Sequence, residues 1–181
     1  MHTRNFLIAL AACCTLVIVG CKPEPMSTTT PAASTKSPTT APGAPAALPD
    51  NGFKAAITLI DPPAKLRAGE KHTIKVRVKN TSDVMWYARG AEFNSSSDTK
   101  FILAAGNRWL DADGILITEM DGRIGLDRDL KPGEETEVPL LITAPKEPGE
   151  YILEVDVVQE QVAWFHEKGS PTAKAKVTVA K

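Results

Sequence analysis

Along residues 51–181, apolar and polar positions alternate with a period of two. Ile74, Val76 and Val78 stand between Lys75, Arg77 and Lys79. Val138, Leu140 and Ile142 form a second set. Tyr151, Leu153, Val155 and Val157 form a third, with Glu154 and Asp156 between them. Ala173, Ala175, Val177 and Val179 alternate with Lys174, Lys176 and Thr178. Successive side chains of a strand point to opposite faces, so each run predicts a strand with an apolar face on a core and a solvated face opposite. No run of helical length carries a helical stripe. Turn signals fall between the runs at Pro62-Pro63, Ala68-Gly69-Glu70, Asp111-Ala112-Asp113-Gly114, Asp121-Gly122, Lys131-Pro132-Gly133-Glu134 and Glu147-Pro148-Gly149-Glu150. Both Pro-Gly pairs predict type II turns, in which proline presets the second position and glycine takes the positive φ of the third. About seven short strands with regular turns predict an all-β, antiparallel β-sandwich.

The first 50 residues follow other rules. Arg4 precedes an apolar or small stretch from Phe6 to Gly20, which Cys21 closes. A basic start, an apolar run and a small residue before the cut describe a secretory signal peptide over residues 1–20. The run is 15 residues long, short of the ~20 that span a bilayer. The ending Ile18-Val19-Gly20-Cys21 resembles the lipobox of bacterial lipoproteins. That resemblance implies cleavage before Cys21, a diacylglycerol on its sulfur and an N-acyl chain such as palmitate, enough for stable anchoring. Leu10-Ala11-Ala12-Cys13 fits the same pattern, but a cut there leaves apolar Leu16 to Val19 on the mature chain. Lys22 follows Cys21, and under the enterobacterial sorting rule an aspartate there would retain the protein at the inner membrane. The cysteines are Cys13, Cys14 and Cys21, so the folded part is expected to hold no disulfide.

Residues 21–50, the lipidated cysteine and a linker, carry seven of the chain's 14 prolines, with no aromatic, Ile or Val. Such composition cannot bury enough apolar area to offset its conformational entropy, which predicts a disordered tether reaching at most roughly 85 Å. A Pro-rich ligand or an O-glycosylated stalk is the alternative. Residues 51–181 then make one domain. It holds 18 Lys and Arg against 20 Asp and Glu, and its sequence offers no basic patch of the kind nucleic acid needs.

Several segments carry a family resemblance: Val78-Lys79-Asn80-Thr81-Ser82, Trp86, Leu130-Lys131-Pro132-Gly133-Glu134, Ala144-Pro145, Pro148-Gly149-Glu150-Tyr151 and Trp164-Phe165. Together they resemble a bacterial immunoglobulin-like domain. The chain is similar to Ig-like modules of bacterial surface and polysaccharide-related proteins, which have stretches like Arg108 to Gly114 and Val157 to Phe165. More distantly it is similar to the four-tryptophan Ig-like domain of selective-autophagy receptors. Only three tryptophans are present and Glu92 to Lys100 reads as extra loop, so peptide binding does not carry over. The resemblance implies an Ig-like sandwich over roughly residues 53–180. It is weak on function, because such folds host many.

Trp109 opens a hairpin and reads as core, and Trp86, at a strand end, as a cap on the sheet edge. Trp164 and Phe165 are adjacent in an extended stretch, so one should face outward. An outward Trp164 beside His166 and Glu167 is the candidate ligand-binding group, for a sugar or a partner side chain; packing is its plainer role. Asp113-Gly114 reads as a hairpin turn and not as a calcium loop, since a strand follows at once. Asp121, Asp127 and Asp129, near Arg123 and Arg128, read as a solvated loop and not as a hydrolytic pair. His72 and His166 lack metal-ligand spacing, and no nucleophile elbow occurs. The expectation is a non-enzymatic binding module without metal or cofactor, monomeric, and lipid-anchored at a cell or outer membrane. It would face the periplasm or exterior and contact an envelope protein or polysaccharide. A loop-presenting hydrolase inhibitor, using residues 91–100, 121–130 or 167–171, and a purely structural envelope role are the rivals.

Overall fold

The computed structural model describes residues 46–181. The leader, Cys13, Cys21 and the linker up to residue 45 lie outside them. Ten strands follow in order: β1 (Ala55–Ile60), β2 (Lys65–Arg67), β3 (Lys71–Asn80), β4 (Leu103–Asp111), β5 (Leu116–Thr118), β6 (Arg123–Gly125), β7 (Glu135–Thr143), β8 (Gly149–Gln159), β9 (Ala163–Trp164) and β10 (Ala173–Ala180). They form two sheets. One has the order β1-β3-β7; the other runs β2-β10-β8-β4-β5, with β6 on β4 and β9 on β8. The pairs are antiparallel except β2, which runs parallel to β10.

The alternating sets become the core as their period predicts, except Ala173 and Ala175 of β10, which stay half-exposed. Ile74, Val76 and Val78 on β3, and Val138, Leu140 and Ile142 on β7, turn inward from the smaller sheet. Tyr151, Leu153, Val155 and Val157 on β8 meet them from the larger one, with Val177 and Val179 of β10. Each large apolar side chain so buried is worth roughly 1.5–3 kcal/mol. Trp109 lies among them, edge-on to Tyr151 with ring centres 6.4 Å apart. Trp86 is not a cap on the sheet edge: it lies in the β3–β4 connection, outside the strands, and is fully buried in the core. It bridges Leu130 in both directions, and its indole N–H donates to the Gly52 carbonyl at 2.9 Å.

Turn chemistry explains two boundaries and corrects one. Gly133 takes φ +84° and the Glu134 N–H donates to the Lys131 carbonyl at 3.0 Å, a type II turn. Asp113-Gly114 closes the β4–β5 hairpin, where Asp111 Oδ1 accepts from the Asp113 and Ile115 N–H groups. Pro148-Gly149 is not a type II turn: Gly149 already belongs to β8, paired with Val179, and its φ is not positive. A Cβ there would lie 3.3 Å from the Tyr151 ring, a tight contact. That ring folds back so its hydroxyl donates to the Glu147 carbonyl at 2.9 Å, pinning the turn into β8. Tyr151→Phe is expected to lower unfolding free energy by about 1 kcal/mol, the worth of one such bond, in urea titration.

The fold begins before residue 51. Leu48 packs on the core, its N–H donates to Gln159 Oε1 at 2.8 Å, and Gln159 Nε2 donates to the Ala46 carbonyl at 3.0 Å. Gln159, buried at the end of β8, thus fixes where the chain enters the sandwich. Among the described residues, no helix is long and apolar enough to cross a membrane.

Candidate interaction face on the larger sheet

The polar side of β8 is not solvated. Glu154 and Asp156 have side chains only 4% exposed, although their alternation with core residues predicts a face in water. They lie on the outer surface of the larger sheet, where Arg108 of β4 and Lys174 of β10 flank Glu154 and Gly106 of β4 lies opposite Asp156. The connection from β8 to β10 folds back over this surface. Phe165 plunges inward, fully buried, edge-on to Phe53 at 5.1 Å and to Trp86 at 5.2 Å. Trp164 and His166, on either side of it, are left on the outer surface.

That cover builds a continuous polar network. Glu154 Oε2 accepts from Arg108 Nε at 2.5 Å; its Oε1 accepts from Thr172 Oγ1 at 2.7 Å and from Lys174 Nζ at 3.2 Å. Arg108 Nη1 lies 3.3 Å from His166 Nε2, and His166 Nδ1 lies 2.6 Å from Asp156 Oδ2. A guanidinium can only donate, so Nε2 accepts and Nδ1 carries the proton given to Asp156. Asp156 also takes the His166 and Val157 backbone N–H groups. Burial pushes the Asp156 carboxyl above its ordinary value, and the hydrogen bonds from His166 oppose that rise. Burial alone would raise Glu154 too, but the bonds from Arg108, Thr172 and Lys174 hold it down at about 2.

The sign follows directly. A carboxylate depressed from 4.5 to about 2 on folding stabilises the fold at every pH above 4.5, and that contribution is lost as pH falls toward 2. Glu154→Gln, close in shape to the protonated acid, is expected to be less stable than wild type by about 3 kcal/mol at pH 7, the gap closing toward pH 2. Paired urea titrations across that range test this, and a gap independent of pH contradicts it.

Trp164, half-buried, lies over Gly106, where a Cβ would come within 3.0 Å of the indole. Arg123 stacks on the ring, guanidinium carbon 4.6 Å from its centre, while Arg123 Nη1 donates to Glu160 at 2.8 and 3.0 Å. Arg123 Nε is buried and has no hydrogen-bond partner among the described residues. The Trp164 and His166 rings are 6.3 Å apart, so the structure brings these two together. Glu167 does not join them as a free group: its carboxylate accepts the Trp164 N–H at 2.9 Å, closing the turn Phe165–Lys168. Sequence reasoning missed Arg108, Arg123, Glu154, Asp156, Glu160 and Thr172. Ile152 and Val158, apolar residues of outward parity on β8, are the one signal that this face is covered.

The acids expected in a solvated loop are structural. Asp121 Oδ2 accepts from Trp109 Nε1 at 3.2 Å, Asn107 Nδ2 at 3.1 Å and the Thr143 N–H at 2.6 Å, tying β4 to β7 across the two sheets. Asp127 takes the Thr136 hydroxyl at 2.5 Å and Asp129 the Ala88 N–H at 2.8 Å. Among the described residues, no group of three or more His, Cys, Asp or Glu is placed to hold a metal ion.

Strand order β1-β3-β7 facing β10-β8-β4-β5, a buried tryptophan on β4 and a tyrosine pinning the entry to β8 define an immunoglobulin-like β-sandwich. No family model matches the chain, and no curated protein matches it by sequence. Among solved structures it is similar to a β-glucosidase from Listeria innocua, at 17% identity and a TM-score of 0.44, covering 71% of this chain and 16% of that one. It is similar to the CARDB domain of a Pyrococcus furiosus protein at 15% identity and a TM-score of 0.41, covering 70% and 94%. An alkylpurine DNA glycosylase from Pseudomonas fluorescens matches at 13% identity and a TM-score of 0.41, covering 71% and 31%. The chain thus spans a small part of the two enzymes it matches. The fold assignment rests on the strand order and not on these likenesses.

Proposed function

We propose that the chain is a non-enzymatic interaction module of a cell envelope, held to a membrane by lipid on Cys21 and contacting an envelope protein or polysaccharide. The observation that carries this reading is the closed network on the larger sheet. Arg108, Glu154, Asp156, His166, Thr172 and Lys174 are bonded to one another. A general base or nucleophile needs a lone pair or proton within reach of a substrate. These groups instead hold Trp164 and its loop in one place, as a rigid surface does for a partner. The anchor is supported by the order of charge, apolar run and small residue before Cys21.

Two experiments test it. Labelled palmitate should enter the wild type and the Cys13→Ser variant but not Cys21→Ser; incorporation that follows Cys13 moves the anchor, and none in any variant removes it. A photo-crosslinking residue at position 164 in living cells should give either a discrete adduct, for a protein, or a smear removed by polysaccharide digestion. The absence of any adduct leaves Trp164 with a packing role alone.

A further inference from the structure

The sandwich ends in β1 and β7 on one sheet, and on the other in β2 and, side by side along β4, in β5 and β6. A free edge presents unpaired N–H and C=O groups, and proteins ordinarily guard it with charge, proline or covering chain. Four of these five are guarded, β6 by Gly90 and Phe93, which lie against Gly125. The Ser170 hydroxyl accepts the Ala55 N–H at 2.9 Å and donates to the Ala55 carbonyl at 3.4 Å, covering the start of β1. β7 carries Pro139 with Glu135 and Glu137. β2 is three residues long, with Lys65 and Arg67 around Leu66.

β5 is as short as β2 and bulged, but its side chains are apolar where those of β2 are basic. It reads Leu116-Ile117-Thr118, preceded by Ile115 and followed by Glu119 and Met120. Ile115 is 64% exposed, Met120 59%, Ile117 49% and Leu116 46%. Trp109 pairs with Thr118 and Leu110 with Leu116, so Ile117 is the extra residue of a bulge, with no residue opposite it on β4. Large exposed apolar side chains therefore line this edge, and its bulged residue has none opposite it on β4.

The segment that carries this edge has charge of one sign. From Leu110 to Gly122 the chain carries Asp111, Asp113, Glu119 and Asp121 and no lysine or arginine. Asp111 serves the hairpin and Asp121 the inter-sheet bonds, whereas Asp113 and Glu119 are exposed and make no ion pair among the described residues. A second copy of the chain would bring the same acids to the contact, like charge against like. We propose that the free edge of β5 receives an extended segment of a partner protein, apolar in its middle and flanked by lysine or arginine, which adds to the larger sheet as a further strand. Backbone bonds would supply affinity, alternate side chains would cover Leu116 and Ile117, and the flanking cations would pair with Asp113 and Glu119. The β4–β5 hairpin lies at the far end of β4 from Leu103, beside which Gln159 holds the entering chain. A chain held by its N-terminus therefore still offers this edge to a neighbour.

The partner site deepens the interaction-module reading but uses a different face from Trp164, so the two can fail separately. The test uses the full chain and a labelled synthetic peptide of alternating valine and threonine with lysines at both ends, followed by fluorescence anisotropy. Saturable binding is expected, weakened about tenfold or more by Ile117→Lys and several-fold by about 0.5 M salt, and unchanged by Trp164→Ala. Position 117 is exposed, so the Ile117→Lys protein should keep its thermal midpoint, and a matched melt confirms that the loss is local. Equal binding of a glutamate-ended peptide, full binding by Ile117→Lys, or no saturable binding at the solubility limit overturns the proposal. Self-association abolished by Ile117→Lys would give the edge to a second copy and overturn it too. Loss of binding on Trp164→Ala with Ile117→Lys unaffected would reject β5 while sparing the interaction module.

Discussion

Phe165→Ala is expected to destabilise the domain by roughly 3–5 kcal/mol, while Trp164→Ala, one residue away, is expected to cost about 1 kcal/mol. Phe165 is fully buried between Phe53 and Trp86, and its removal leaves a cavity lined by two aromatic rings that cannot collapse onto each other. Trp164 rests on the outer surface against Gly106 and Arg123, where water can replace what is lost. Equilibrium urea unfolding of the two variants reads the difference. Comparable losses would mean that both residues are core and that Trp164 presents no surface to a partner.

Asp121→Ala should lose roughly 4 kcal/mol, because one carboxylate oxygen takes three donors and each charge-assisted bond is worth about 1.5–3 kcal/mol before the partial exposure of the site is allowed for. Trp109 and Asn107 are buried, so their N–H groups would be left without a partner. Asp121→Asn should recover part of the loss, since an amide oxygen still accepts. Trp109 supplies the second readout: its emission should change in Asp121→Ala even in the folded state. An unfolding free energy within about 1 kcal/mol of wild type would show that water fully replaces the carboxylate.

The pattern that was legible in the sequence is the one that each strand carries in itself. Ile74, Val76 and Val78, or Val138, Leu140 and Ile142, declare their inward face by period alone, and the structure buries them. Lys131-Pro132-Gly133-Glu134 declares its turn in the same local way. Glu154 and Asp156 could not be read so. What buries them is His166, Thr172 and Arg108, brought over the sheet by a connection whose course is fixed by Phe165 finding a place between Phe53 and Trp86. Asp121 likewise gains its role from Asn107, Trp109 and Thr143, contributed by two different strands. Pro148-Gly149 misleads for a related reason, since the glycine is paired with Val179 of another strand and its φ is not positive. Of the candidate site, the outward turn of Trp164 was readable from its neighbour. The network that fixes it was not.

The parallel pairing of β2 with β10 has a mechanical meaning. Ala55 lies beside Asn80 at the end where the chain enters, and Ala180 beside Arg67 at the opposite end. A pull applied between the two termini would draw β2 and β10 past each other along their length, so the bonds at Thr178, Val179 and Ala180 would carry the load together in shear instead of opening one at a time.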